Sequence, residues 1–232
     1  SAGLLARRLM ELSASAVIDL SDFRKAEPPH EFVRDFLTSL LYLPKNLRRP
    51  TLIIIDEAHQ FAPERGMGES VALEAVVNLV TLGRKRGLGS ILATQRLSKL
   101  HKNAADANNI FIGRTVLDVD QARAVKALGL KSADNVLLRD LEKRHFYAFG
   151  PDLNHKGVAQ FRTADCQTTI PKPGDRKGMT PPKASHVVKE LAEQLADLQQ
   201  QAETEIRDMN AAKARIREQD VEIKKLKSGL QP

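Results

Sequence analysis

The chain has 232 residues, 42% of them apolar, and carries 36 Lys and Arg against 29 Asp and Glu for a net charge of +7. A single cysteine excludes an internal disulfide and with it a disulfide-stapled secreted scaffold. No apolar run approaches the roughly 18–20 residues of a membrane span, and the first residues, with Arg7, Arg8 and Glu11, lack the form of a signal peptide, so a cytoplasmic protein without membrane contact is expected. The basic surplus permits nucleic-acid binding without arguing for it.

Ala16 to Leu20 reads as a buried strand, followed by the turn formers Ser21 and Asp22. Pro28 and Pro29 open a helix along which Phe32, Phe36, Leu37, Leu40 and Leu41 recur at helical spacing. Thr51 to Ile55 is a continuous β-branched and apolar run, the pattern of a strand covered on both faces in a parallel sheet. A second helix is predicted from Ser70 to Lys85, closed by Gly87 and Gly89. Short strands follow at Ser90–Thr94 and Asn109–Gly113, then a helix N-capped by Asp118 and running to Leu128. His145–Phe149 and Val158–Arg162 read as two late strands joined by the turn Gly150-Pro151-Asp152. Strands alternating with helices predict an α/β fold with a mostly parallel sheet.

All ten aromatic residues lie between Phe23 and Phe161. A core domain over 1–165 is therefore expected, followed by a Pro- and Gly-rich linker over 166–183. From Ala184 a heptad appears. One position reads Val188, Leu195, Ala202, Met209, Ile216, Ile223 and Leu230, and its partner reads Leu191, Leu198, Glu205, Ala212, Gln219 and Leu226. This predicts a coiled-coil helix over 184–232 and self-association through it.

The strongest chemical signal is the apolar run 51–55 ending in Asp56 and Glu57. Two adjacent acids after five buried residues are costly unless a cation meets them, and the C-terminal end of a strand in an open α/β sheet is where ligands bind. This is the form of a Walker B motif, in which Asp56 holds Mg²⁺ and Glu57 orients and deprotonates an attacking water. A second strand exit, Thr94-Gln95-Arg96, makes Gln95 a sensor candidate. Arg84, Lys85 and Arg86 follow a helix whose dipole they complement; Arg84, with Arg86 as competitor, is the candidate for a guanidinium presented to a nucleotide on a neighbouring subunit. Arg96, Lys99, His101 and Lys102 form a further basic cluster, either a solvated loop or one that tracks phosphates, while His59 reads as a turn residue or as a support for a neighbouring site residue, and Cys166 as incidental.

Together, Val17-Ile-Asp-Leu-Ser21, Leu52-Ile-Ile-Ile-Asp56-Glu57-Ala-His59, Gly83-Arg84-Lys85-Arg86-Gly87 through Thr94-Gln95-Arg96, and Asn109-Ile-Phe-Ile-Gly113-Arg114 resemble the HerA/FtsK superfamily of motor ATPases, most of all the HerA-type DNA translocases. The resemblance covers about residues 16–165. It implies a RecA-like fold, a homohexameric ring, ATP with Mg²⁺, duplex DNA in a central channel and often a nuclease partner. By the same resemblance Asp56 is the metal residue, Glu57 the catalytic base, Gln95 the sensor and Arg84 the finger. The string Asp56-Glu57-Ala58-His59 is also similar to DEAH-box helicases, but the other elements of that family are missing. The chain departs from the motor pattern in one respect: it contains no Gly-x-x-x-x-Gly-Lys-Ser/Thr loop to cradle phosphates. That loop is expected upstream of Ser1, making the chain a C-terminal part that hydrolyses ATP poorly by itself. The alternatives are a non-catalytic interaction module, and a motor of the secretion or conjugation type.

Overall fold

The computed structural model describes residues 2–21 and 27–165, together with the isolated positions 193, 204, 207, 215 and 219. The chain divides into two compact units, Val17–Gly178 and a second formed by Ser1–Ala16 with Met179–Pro232. In the second unit, α1 (Ala2–Leu12) buries Ala6, Leu9 and Met10, a stripe at three- and four-residue spacing. Arg7 and Arg8 both reach Glu11 at 2.9 Å. The five isolated positions are helical and exposed. The linker 166–183 and, those positions apart, the heptad segment 184–232 lie outside the described residues.

The unit Val17–Gly178 runs α2 (Glu27–Leu41), β1 (Thr51–Ile55), α3 (Leu73–Leu82), β2 (Leu88–Leu92), β3 (Ile110–Ile112), α4 (Asp118–Leu128), α5 (Asn135–Arg139), β4 (His145–Phe149) and β5 (Ala159–Arg162). β1 and β2 pair in parallel, Thr51 opposite Leu88 and Ile55 opposite Leu92. α2 packs on α3, and α3 on β2, burying Leu37, Leu40, Leu41, Ile55, Val76, Leu79 and Leu88. α3 is shorter than its sequence pattern suggests because Gly83–Arg86 tightens into a 3-10 turn. Gly87 closes that turn at φ 80°, a left-handed conformation that glycine adopts without penalty.

Three expectations are corrected. The fold is mixed α/β, but the sheet is not mostly parallel: the β1–β2 pair stands beside a separate antiparallel sheet of order β3-β4-β5. Strand composition does not encode direction. The connection 150–158 is shorter than the dozen or so residues a parallel crossover needs, so β4 and β5 pair antiparallel. Ala16–Leu20 is not a strand. It has no ladder partner among the described residues, and Val17 is 99% exposed. Finally, Asp118 is the first residue of α4 and not its cap, which is Leu117; its carboxylate suits the helix N-terminus and accepts from Arg139 at 2.7 Å.

β1 is also covered on one face only. Leu52 and Ile54 are 60% and 64% exposed, and their register partners Gly89 and Ile91 share that open face. The second covering layer predicted for a parallel sheet is not found among the described residues.

Candidate functional site

The parallel ladder sets the site because it continues past both strands. Ala93 N donates to Ile55 O, and Ala58 N donates to Ala93 O, each at 2.9 Å. Asp56–Glu57 and Thr94–Gln95 therefore leave the same end of the two strands side by side. Glu57 itself takes φ +47°, a left-handed conformation that costs a non-glycine residue on the order of 1 kcal/mol. Its N–H is held by Asp56 Oδ1 at 2.9 Å.

Four groups converge on this corner. Gln95 N donates to Glu57 Oε2 across 3.5 Å. His59 Nδ1 lies 3.2 Å from the same oxygen and 2.9 Å from Thr94 Oγ1. A carboxylate only accepts, so the His59 proton sits on Nδ1 when it serves Glu57. Thr94 Oγ1 also accepts from Arg96 N at 3.0 Å. His59, expected from sequence as a turn residue or a support for a site residue, thus links the acid corner to the exit of β2. No spacing rule reveals a contact between residues 35 apart.

Asp56 is exposed at the mouth of the sheet. Among the described residues no group of three His, Cys, Asp or Glu side chains converges on a metal position. The donor set still fits Mg²⁺, which keeps several waters and takes one or two carboxylates alongside phosphate oxygens. Beside the corner, His30, His59, Gln60, Met67, Glu69 and Lys99 line an open cleft of about 320 Å³.

No family model matches the chain and no curated protein resembles it in sequence. Solved structures similar to it include forms of a viral packaging ATPase. The genome packaging NTPase B204 from Sulfolobus turreted icosahedral virus 2 in complex with AMPPCP is 20% identical with a TM-score of 0.47, over 61% of this chain and 64% of that one. The same protein with ATP-gammaS is 21% identical with a TM-score of 0.44, over 57% and 64%. The DNA-packaging ATPase B204 from Sulfolobus turreted icosahedral virus is 18% identical with a TM-score of 0.46, over 65% and 74%. The chain spans 64% of the length of the first of these neighbours. A likeness this partial carries no residue roles, which rest on the geometry of the chain itself.

Behind the corner, α4 fixes the exit of β2. Leu97 packs against the α4 core of Ala124, Val125 and Leu128. Asp120, with its side chain 2% exposed, accepts from Ser98 N at 2.6 Å and lies 3.3 Å from Arg96 Nε. Arg123 reaches both Ser98 O, at 3.2 Å, and Glu64 Oε2, at 3.4 Å. The basic cluster after β2 is therefore partly committed. Arg96 faces Asp120, and His101 is buried with its ring Nδ1 accepting from Asn103 N at 3.3 Å.

Burial pushes the Glu64 carboxyl up, but the Arg65 N–H and the Arg123 and His101 charges outweigh it and hold the group below the usual carboxylate range. A lowered pKa means stability that is present above the unfolded value and lost as pH falls through the folded one. Glu64→Gln is expected to cost about 0.5 kcal/mol at neutral pH and to flatten the acid limb of the stability curve, read by urea denaturation at stepped pH. An unchanged acid limb would show that the Glu64 carboxylate contributes nothing to stability.

Arg84 and Arg86 lie elsewhere. They precede β2, so about 13 Å of strand separates them from the end that carries Glu57 and Gln95. One subunit does not bring them to its own acid pair.

Proposed function

We propose that the chain is the catalytic-acid and sensor portion of an ATP-driven motor acting on DNA, of HerA/FtsK type, with a RecA-like core over 1–165. The observation that supports this best is the convergence of Glu57, His59, Thr94 and the Gln95 backbone at one end of the parallel pair, with Asp56 open beside them. In this reading Asp56 holds the water shell of Mg²⁺. The ion, when bound, neutralises charge on the phosphates and polarises the bond to be cleaved. Glu57 takes the proton of the attacking water. Its neighbours hold the carboxylate at one oxygen and leave the other to the water. The Gln95 side chain, exposed beside Glu57, senses the γ-phosphate.

The phosphate-cradling loop comes from sequence outside these 232 residues. The opposite placement of Arg84 and Arg86 favours a homo-oligomer, a hexameric ring by resemblance, in which Arg84 or Arg86 meets the nucleotide of a second copy. The tail over 184–232 would assist association as a coiled coil, after the linker 166–183. Duplex DNA and a nuclease partner complete the reading, in the cytoplasm.

The experiment is ATP turnover by the protein carrying its phosphate loop, with substitutions at the corner. His59→Ala is expected to lower turnover about tenfold, the kinetic equivalent of ~1.4 kcal/mol, with nucleotide binding kept. His59→Asn, whose amide nitrogen can replace Nδ1, is expected to recover part of it. Equal turnover by both variants and the wild type would remove His59 from the site.

A further inference from the structure

The same parallel pair that gathers the acids at one end gathers cations at the other. β1 begins directly after Lys45, Arg48 and Arg49, and β2 directly after Arg84, Lys85 and Arg86. The two segments touch. Thr51 N donates to Gly87 O at 3.0 Å, and a Cβ placed on Gly87 would lie 3.6 Å from Arg49 O. Arg48 Nε is anchored on Leu43 O at 2.9 Å, and the Arg86 guanidinium sits 5.6 Å from the centre of the Tyr42 ring. Lys45, Arg49, Arg84 and Lys85 are exposed.

Nothing negative flanks Lys45, Arg84 or Lys85 in the sequence. No Asp or Glu occurs from 36 to 55 or from 75 to 105. The bland explanation is that these cations complement helix ends, since α2 finishes at Leu41 and α3 at Leu82. Two helix C-termini offer roughly half a negative charge each, about one unit in all, which the exposed Lys45, Arg84 and Lys85 already exceed. Positive charge is left over beyond what the helix ends balance.

We propose that this basic pole is a surface for the phosphodiester backbone of a nucleic acid, engaged without reading bases. Phosphate contacts by Lys and Arg position a polymer independently of sequence, and a guanidinium held over an aromatic ring is pre-oriented for such a contact. The proposal rests on the motor reading only in choosing a nucleic acid over another polyanion; the surface itself follows from the register of β1 and β2. It also differs from the sequence expectation, which placed phosphate tracking in the loop after β2.

The test is fluorescence anisotropy of a labelled mixed-sequence DNA duplex with the full chain, at varied salt and without nucleotide. Arg84 and Arg86 are left untouched because a neighbour's nucleotide is their other candidate partner. The double variant Lys45→Glu, Lys85→Glu is expected to weaken binding by at least about tenfold and to reduce the salt slope by about two. The charge-matched Lys126→Glu, Lys143→Glu is expected to stay within about twofold of wild type by the same electrostatic argument. If charge reversal unfolds the chain, Lys45→Ala with Lys85→Ala must still weaken binding severalfold.

The proposal is overturned if the wild type shows no salt-dependent binding, or if the control pair loses as much as the test pair. It is equally overturned if Lys99→Glu, Lys102→Glu abolishes binding while the test pair does not. Equal competition by poly-glutamate would reassign the surface to an acidic protein. Because the assay needs no ATP, persistent turnover in Glu57→Gln would sink the motor reading and leave this surface standing.

Discussion

Glu57→Gln, in the protein with its phosphate loop, is expected to keep nucleotide binding and lose turnover by a factor of at least about 100, the lower range for removing a general base. The geometry makes this a clean substitution. A glutamine oxygen can still accept from His59 Nδ1 and from Gln95 N, which lie 3.2 and 3.5 Å from Glu57 Oε2. Glutamine is also unbranched at Cβ, so the left-handed backbone at φ +47° costs it no more than glutamate. What disappears is the basicity of the oxygen facing the water. Asp56→Asn should behave differently, weakening the Mg²⁺-dependent part of nucleotide binding because the group lost is the metal's carboxylate. If Glu57→Gln turns over at the wild-type rate, the proton goes elsewhere, and the corner is a structural knot between two strand exits.

β1 was legible to the residue because five consecutive β-branched or apolar side chains ending in two acids suit a strand and little else. Its covering was not legible. The composition fits a strand buried on both faces, whereas Leu52 and Ile54 stand in the open. Ala16–Leu20 shows the same limit, since its apolar content is that of a strand but strands are made by pairing. Residue type also said nothing of direction, so β3, β4 and β5 were found as strands, but their separation into an antiparallel sheet of their own was not.

The candidate site divides along similar lines. Asp56, Glu57 and Gln95 are visible because each follows a recognisable strand, and parallel pairing then brings them together. His59–Thr94 and Asp120–Ser98 are contacts across 35 and 22 residues that no local pattern announces. Arg84 and Arg86 were visible as a cluster, but only the direction of β2 shows that they stand at the far end from Glu57.

Asp120→Ala is the second large effect, on stability. From sequence, Asp120 is an acid in the first turn of a helix, where replacement by alanine costs little and gains helix propensity. Its burial reverses that expectation. The side chain is 2% exposed, accepts from Ser98 N at 2.6 Å and faces Arg96 Nε at 3.3 Å. Truncation leaves the Ser98 N–H without its acceptor and opens a small void. Arg96, with its side chain 37% exposed, can turn toward water, which keeps the penalty below that of a fully buried pair. The expected loss is about 2–3 kcal/mol, read as a lowered urea midpoint with unchanged slope. Asp120→Asn retains the acceptor for Ser98 and should lose about half as much. The site should register the change as well, since Arg96 and Ser98 directly follow Gln95. Freeing them loosens the backbone N–H that holds Glu57, and turnover should fall in Asp120→Ala even where the protein remains folded. A midpoint within experimental scatter of wild type would mean that α4 does not anchor the β2 exit, and that the order of the acid corner comes from the parallel ladder alone.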